Sequence, residues 1–192
     1  MHTRIHGGRL IDPASGLDCQ ADLFLAEGRI LAIGQAPDGF VAGHQLDAGG
    51  LVIAPGLVDL SVALREPGYT RKGSIASETL AAAAGGVTSL CCPPATRPVL
   101  DTPAVAELVL DLARSAGHTR VFPVGALSQG LAGEQLAELV TLQEAGCVAF
   151  GDGLGEFSSS RNLRRALEYA ATFDLTLVLH AQDQAPSRLH NS

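Results

Sequence analysis

Charged residues are scarce in this sequence, and basic residues are the scarcer kind. Charged residues make up 17% of the 192-residue chain, and 13 Lys and Arg stand against 20 Asp and Glu, which gives a net charge of −7. The longest basic run is the pair Arg164-Arg165. Because a nucleic-acid backbone repels an acidic chain that has no basic patch, we expect no nucleic-acid partner.

Long apolar segments are also missing. No stretch approaches the roughly 18 to 20 apolar residues that a membrane-spanning helix needs, and the N-terminal MHTRIHGGRL lacks the apolar core of a secretory signal. We therefore expect a cytoplasmic protein with no membrane partner.

The four cysteines do not form a disulfide pattern. Three of them lie in strand-like apolar runs, and the side chains of adjacent Cys91 and Cys92 would point to opposite faces of a strand. We interpret all four as reduced, buried small side chains, with metal or redox use as the alternative.

A glycine-rich phosphate loop is absent as well. Neither GxGxxG nor GxxxxGK[ST] follows any predicted strand, which disfavours nucleotide binding.

Hydrophobic residues, in contrast, are plentiful. They make up 46% of the chain, which is typical of a packed globular protein.

Residues 1–53 predict a small β domain. Three short β-type runs lie between turn signals: Thr3–Ile5, Asp22–Ala26 and Arg29–Ile33. In ADLFLAEGRILAIG the turn pair Glu27-Gly28 separates two alternating apolar runs, as in a hairpin with one buried face. We expect a small antiparallel sheet here.

In residues 54–192 apolar strands alternate with helices. The predicted strands cover 57–64, 87–92, 120–125, 147–152 and 176–181, with four helices between them. This order predicts a parallel sheet with right-handed crossovers and both faces covered, in an α/β barrel or a doubly wound sheet.

The second predicted helix is the clearest. Thr102 can cap it, Pro103 suits its first position, and Gly117 closes it. Its predicted apolar stripe consists of Val105, Leu108, Val109 and Leu112.

Several motifs together resemble the dihydroorotase branch of the amidohydrolase superfamily. They are APGLVD at 54–59, REPG at 65–68 with Lys72, AAAGGVT at 82–88, AFGD at 149–152 and LHA at 179–181. Their order and spacing make the match specific. The resemblance implies the N-terminal part of a TIM-like (β/α) barrel, about four βα units plus a fifth strand, with a small N-terminal domain of β-sandwich type.

The motifs that carry the family's chemistry differ in this sequence. Active members have a His-x-His pair at the end of the first barrel strand, where this chain has Ser61 and Ala63, and a hydroxyl or a methyl group does not replace an imidazole as a zinc ligand. The family's Met-Pro-Asn-Thr loop, whose Asn contacts dihydroorotate, reads Pro-Pro-Ala-Thr here, with Ala95 at the Asn position. We therefore expect no catalytic residue and no bound metal.

Three residues match family site positions and form what we interpret as a vestigial pocket. The resemblance implies that Arg65 occupies the position that pairs with the substrate carboxylate, and that Asp152 and His180 occupy metal-ligand positions. Each also has a structural interpretation. Asp152 could cap a loop, His180 could be a hydrogen-bonded rim residue, and Arg65 could pair with Glu66 or Glu78.

The leading hypothesis is a non-catalytic dihydroorotase-like protein of pyrimidine biosynthesis. The resemblance implies aspartate carbamoyltransferase as its structural partner, and an oligomer without a cofactor. The alternative is an active cyclic amidohydrolase, of the dihydroorotase, hydantoinase or allantoinase type, that opens a ring amide with zinc-bound hydroxide. About 140 residues cannot close a barrel that takes about 250, so we expect either a fragment of a longer protein or a chain that pairs with another.

Overall fold

The chain consists of two compact units, Met1–Gly56 and Leu57–Ser192. The computed structural model describes residues 1–153 and 160–180. The change of pattern in the sequence places the boundary after residue 53, a few residues earlier.

The first unit is built from strands alone, arranged in two sheets. Its strands are β1 (His2–His6), β2 (Arg9–Asp12), β3 (Leu17–Gln20), β4 (Leu23–Ala26), β5 (Arg29–Ile33), β6 (His44–Asp47) and β7 (Val52–Ile53). One sheet has the order β5-β4-β1-β6 and the other the order β3-β2-β7.

The hairpin predicted in this unit is confirmed. Strands β4 and β5 pair antiparallel through a turn at Glu27 and Gly28, which both have positive φ, 52° and 73°. Such a turn matches the right-handed twist of the strands that it joins. Leu23, Phe24 and Ala26 of β4 are buried.

The expectation of a purely antiparallel sheet is wrong. Strand β6 pairs parallel with β1, and β7 pairs parallel with β2. A parallel partner must return through a long connection, and alternation along the sequence indicates only which segments are strands and which are joined by tight turns.

The second unit alternates strands and helices and forms a curled parallel half-barrel, as predicted. Its elements in chain order are β8 (Leu57–Asp59), α1 (Ile75–Ala84), β9 (Val87–Cys92), α2 (Pro103–Ala116), β10 (Arg120–Ala126), α3 (Leu139–Glu144), β11 (Ala149–Gly151) and α4 (Ser160–Thr172). The strands pair in parallel in the order β11-β10-β9-β8.

The core of this unit lies between the sheet and its helices. Leu90 and Phe150 come from the sheet, and Val109, Leu142 and Ala166 come from α2, α3 and α4. All five are buried. Because the strands pair in parallel, their C-terminal ends share one edge of the sheet.

Helix α2 has the predicted ends, and most of its predicted stripe faces the core: Val105 and Val109 are buried, and Leu112 packs against the core. Pro103 is its first residue, and Gly117 ends it in the left-handed conformation with φ 68°. Leu108 of the predicted stripe is 42% exposed, while Ala106 and Ala113 are buried. The small alanines let the helix approach its neighbours closely, and so they extend the buried face beyond the predicted stripe.

The predicted fifth strand, 176–181, is reduced to one bridge in its described part. Phe150 pairs with Leu177 in parallel, and the amide of Val178 donates to the carbonyl of Phe150 at 2.8 Å. Since β11 itself has three residues, it offers little edge for a longer ladder. Residue 181 lies outside the described residues.

Among residues 1–153 and 160–180, every helix is too short or too polar to span a lipid bilayer.

Candidate functional site

The C-terminal ends of the strands surround a cleft of about 380 Å³, here called the central cleft. Ser61 follows β8, Ala95 follows β9, and both line this cleft together with His180. The other lining residues are mostly apolar or glycine and include Leu60, Pro94, Val124, Val178 and Leu179. The site therefore lies at the edge where parallel α/β folds place their ligands.

A second cavity of about 290 Å³, here called the basic pocket, adjoins the central cleft. Ala63, Arg65, Tyr69 and Lys72 line it, and Ala95 lines both cavities. The structure thus brings together Ser61 and His180 in one cavity and Ala63 and Arg65 in the next.

The side chain of Arg65 is exposed and has no ion-pair partner in the described part of the chain. Its backbone has a positive φ of 65°, which is uncommon for a residue with a side chain. The carboxylate of Glu66 instead accepts a hydrogen bond from the backbone amide of Ile75, at the start of α1, at 2.9 Å. Neither Glu66 nor Glu78 forms an ion pair with Arg65 within residues 1–153 and 160–180.

Asp152 is buried, with 5% of its surface exposed, and both carboxylate oxygens are engaged. One oxygen accepts from the backbone amides of Leu127 and Ser128 at 3.0 and 2.9 Å, and the other accepts from the Ser128 hydroxyl at 2.6 Å. The Ser128 hydroxyl oxygen also accepts from the amide of Gly133 at 2.8 Å. Asp152 therefore holds the loop after β10 against the end of β11.

The neighbours of Asp152, rather than Asp152 itself, line the central cleft. Gly151 and Gly153 are among its lining residues, whereas Asp152 lines neither described cavity. This geometry favours the loop-capping interpretation of Asp152. The partner, Ser128, was missed in the sequence; the available signal was a hydroxyl residue directly after the apolar strand β10.

The cysteines are free thiols. Cys92 and Cys147 are buried, and burial raises the pKa of Cys92 to about 11 and that of Cys147 to about 12. Burial, followed by the charge of Asp59, also raises the pKa of Cys91. Burial therefore disfavours the reactive thiolate form of Cys92 and Cys147.

A family model described as dihydro-orotase-like matches residues 50–188. This chain belongs to the dihydroorotase-like family. The match covers the whole half-barrel and both cavities, so the family assignment applies to the part of the chain that carries the site.

The curated relatives of this dihydroorotase-like chain include proteins named dihydroorotase-like protein and proteins named dihydroorotase. A dihydroorotase-like protein of Pseudomonas aeruginosa is 67% identical over 95% of this chain and 43% of its own length. A dihydroorotase of Geobacter sp. strain M21 is 44% identical over 96% of this chain and 44% of its own length. The chain thus spans less than half the length of these relatives.

Solved structures with the same fold include a hydantoinase and a dihydropyrimidinase. The L-hydantoinase of Arthrobacter aurescens superposes with a TM-score of 0.78 at 23% identity, over 94% of this chain and 41% of the hydantoinase. A dihydropyrimidinase from Brevibacillus agri gives a TM-score of 0.68 at 19% identity. At these identities the likeness shows the fold alone.

The residues present do not fit the metal that the dihydroorotase fold implies. Ser61 and Ala63 offer no imidazole, and the oxygens of Asp152 already accept hydrogen bonds from protein groups. In residues 1–153 and 160–180, no group of three or more His, Cys, Asp or Glu side chains is placed to hold a metal ion. A hydrolytic zinc site needs about three protein ligands plus a water.

Proposed function

We propose that this chain is part of a non-catalytic dihydroorotase-like protein of pyrimidine biosynthesis, with a structural rather than a hydrolytic role. The observation that carries the proposal is that Ser61 lines the central cleft and Ala63 lines the basic pocket. The resemblance implies that active members have histidines at these two positions. The acidic composition and reduced cysteines suit a cytoplasmic protein.

Loss of the two imidazoles removes the chemistry of ring opening. Amide hydrolysis in this family needs a metal that lowers the pKa of a bound water and polarises the carbonyl group. A serine hydroxyl remains neutral at pH 7 and a methyl group binds no ion, so these side chains supply neither function. Ala95 also replaces the amide that would orient the substrate.

The structural role that we propose is to hold aspartate carbamoyltransferase in a larger assembly. The resemblance suggests this partner, and the exposed apolar residues of the half-barrel support the need for one. Leu57, Val58 and Leu60, at the edge formed by β8, are 61%, 62% and 74% exposed. Apolar surface of this kind is favourably buried against another protein surface.

The first experiment measures zinc and activity together. The purified chain is expected to contain no stoichiometric zinc by elemental analysis and to hydrolyse no dihydroorotate, with the Geobacter dihydroorotase as the positive control. One equivalent of zinc that disappears in His180→Ala, or turnover that a chelator abolishes, would establish the alternative of an active cyclic amidohydrolase.

A repair variant tests how much of the site is lost. Ser61→His combined with Ala63→His restores two ligands. It leaves Ala95 in place and Asp152 hydrogen-bonded to Leu127 and Ser128, so we expect no activity in this chain. Recovered hydrolysis in the double variant would show that the two histidines alone separate this chain from an active enzyme.

Co-purification tests the partner. Co-expressed aspartate carbamoyltransferase is expected to elute with this chain in one complex on size exclusion, and Leu60→Lys is expected to weaken the complex. Leu80→Lys, on the exposed side of α1, is the matched control. Separate elution of the two wild-type proteins would contradict the proposed role.

A further inference from the structure

Two residues at family metal-ligand positions have different surroundings in this chain. His180 lines the central cleft, whereas Asp152 lines neither the central cleft nor the basic pocket. Asp152 is buried, with 5% of its surface exposed. A carboxylate binds a metal through an oxygen that faces the ion. Asp152 would therefore have to leave its present contacts before it could join His180 at one ion in the cleft.

Three buried hydrogen bonds, here called the Asp152 link, hold this carboxylate. The backbone amides of Leu127 and Ser128 donate to Oδ1 at 3.0 and 2.9 Å, and the Ser128 hydroxyl donates to Oδ2 at 2.6 Å. Hydrogen bonds to a carboxylate are about twice as strong as bonds between neutral groups, and a protein interior strengthens them further. Removal of the carboxylate from this position would leave the two buried amides without an acceptor.

The loop at Ser128 is itself fastened on two further sides. The amide of Gly130 donates to the carboxylate of Asp101, in the loop after β9, at 2.8 Å. The side-chain amide of Asn162, in α4, donates to the carbonyl of Gly133 at 3.2 Å. The amide of Gly133 in turn donates to the Ser128 hydroxyl oxygen at 2.8 Å. Because these bonds join the loop to two other elements, it cannot move with the carboxylate without breaking them.

We propose that the Asp152 link is a second barrier to metal binding, which keeps Asp152 out of the central cleft even when imidazoles are supplied there. Ser128 acts as a positioning residue, since its amide and its hydroxyl supply two of the three bonds. A metal that recruited Asp152 would have to break the link, and this loss would weaken the binding of the metal. The inference rests on the proposed non-catalytic role and adds a barrier that is independent of Ser61 and Ala63.

Zinc affinity in a histidine-bearing background tests the proposal. Zinc chloride is titrated calorimetrically into the chelator-treated double variant Ser61→His with Ala63→His. Addition of Ser128→Ala to this variant removes the shortest bond of the link, and we expect zinc to bind at least about tenfold more tightly. The matched control is Ser15→Ala, because the Ser15 hydroxyl also donates to a carboxylate at 2.6 Å, that of Asp12. This control should leave the zinc affinity of the double variant unchanged.

Asp152→Asn shows directly whether Asp152 binds the ion, and it keeps an acceptor for the amides of the link, so it tests the proposal even where Ser128→Ala alters the fold. In the double variant we expect Asp152→Asn to change zinc affinity by less than about twofold, whereas in the variant that also carries Ser128→Ala it should reverse the gain.

Three results would overturn the proposal. They are zinc binding that Asp152→Asn weakens about tenfold in the double variant, equal zinc affinity with and without Ser128→Ala, and no zinc binding in either variant. All of these results concern histidine-bearing variants. The zinc content and hydrolysis of the unmodified chain, which test the proposed function, are measured separately.

Discussion

At the scale of single residues, the structure separates side chains that the sequence groups together. Arg65, Asp152 and His180 all match family positions, yet Arg65 lines the basic pocket, His180 lines the central cleft, and Asp152 is bonded to Ser128. A family motif indicates which residue occupies a position, whereas the contacts of that residue depend on loops that lie far away in the sequence.

Replacement of Asp152 is expected to destabilise the protein. Asp152→Ala leaves the buried amides of Leu127 and Ser128 without an acceptor, which costs about 2–4 kcal/mol of the free energy of unfolding. Urea unfolding measures the loss, and Glu107→Ala on the exposed side of α2 serves as the control. A change below about 0.5 kcal/mol would show that the network around Asp152 carries little stability.

Cys92 and Cys147 are expected to resist alkylation in the folded protein at pH 8. With a pKa of about 11, about one Cys92 side chain in a thousand is the reactive thiolate at that pH. Iodoacetamide followed by peptide mass mapping should modify half-buried Cys19 first and the two buried thiols only after unfolding. Equal rates at all sites would contradict the assigned burial.

The same two thiols predict a pH dependence of stability. Their folded-state pKa values lie above the ordinary value of 9.0, so the unfolded chain loses these protons first as the pH rises. These two groups are therefore expected to leave the free energy of unfolding unchanged below pH 9 and to lower it between pH 9 and about 12. Replacement of Cys147 by Ala should reduce the slope of this fall.

At the scale of elements, features with a signature in the sequence could be predicted, including the strand–helix alternation that implies the parallel half-barrel, whereas other contacts between distant segments could not. The β4–β5 hairpin and the ends of α2 follow from a turn pair, a proline and a glycine. The parallel pairings of β6 and β7, and the engagement of Asp152 by Ser128, join segments far apart in the chain. No local pattern encodes such contacts, because tertiary packing selects them.

The N-terminal caps of α1 and α2 provide a test at this scale. Ser74 and Ser77 form a reciprocal capping box at the start of α1, whereas the Thr102 side chain makes no capping hydrogen bond to α2. We expect Ser74→Ala to cost about 1 kcal/mol and Thr102→Ala less than about 0.5 kcal/mol in urea unfolding. The reverse order would show that Thr102 caps its helix in solution.

At the scale of the whole molecule, two segments at the ends of the half-barrel sheet expose apolar residues. Leu57, Val58 and Leu60 lie at one end, and Val178 and Leu179, 54% and 43% exposed, lie at the other. A closed barrel pairs every strand with two neighbours, whereas an open sheet leaves backbone groups and apolar side chains in water. Each Å² of apolar surface costs roughly 25 cal/mol to expose.

The 192-residue chain is therefore expected to associate when it is studied alone. Sedimentation should show oligomers or aggregates, and Leu60→Lys should shift the distribution toward monomer because a charge opposes burial of the β8 edge. Leu80→Lys, on α1, should leave the distribution unchanged. A compact monomer with a cooperative unfolding transition would show that this half-barrel tolerates its open edges.

The link between Asp152 and the loop at Ser128 uses only groups that the polypeptide itself contains. Where a bound ion joins strand ends, the supply of that ion determines when the protein matures. Here the join consists of hydrogen bonds from the loop after β10 to the residue that follows β11. We therefore expect this link to form equally well in protein produced in metal-depleted and in metal-replete medium.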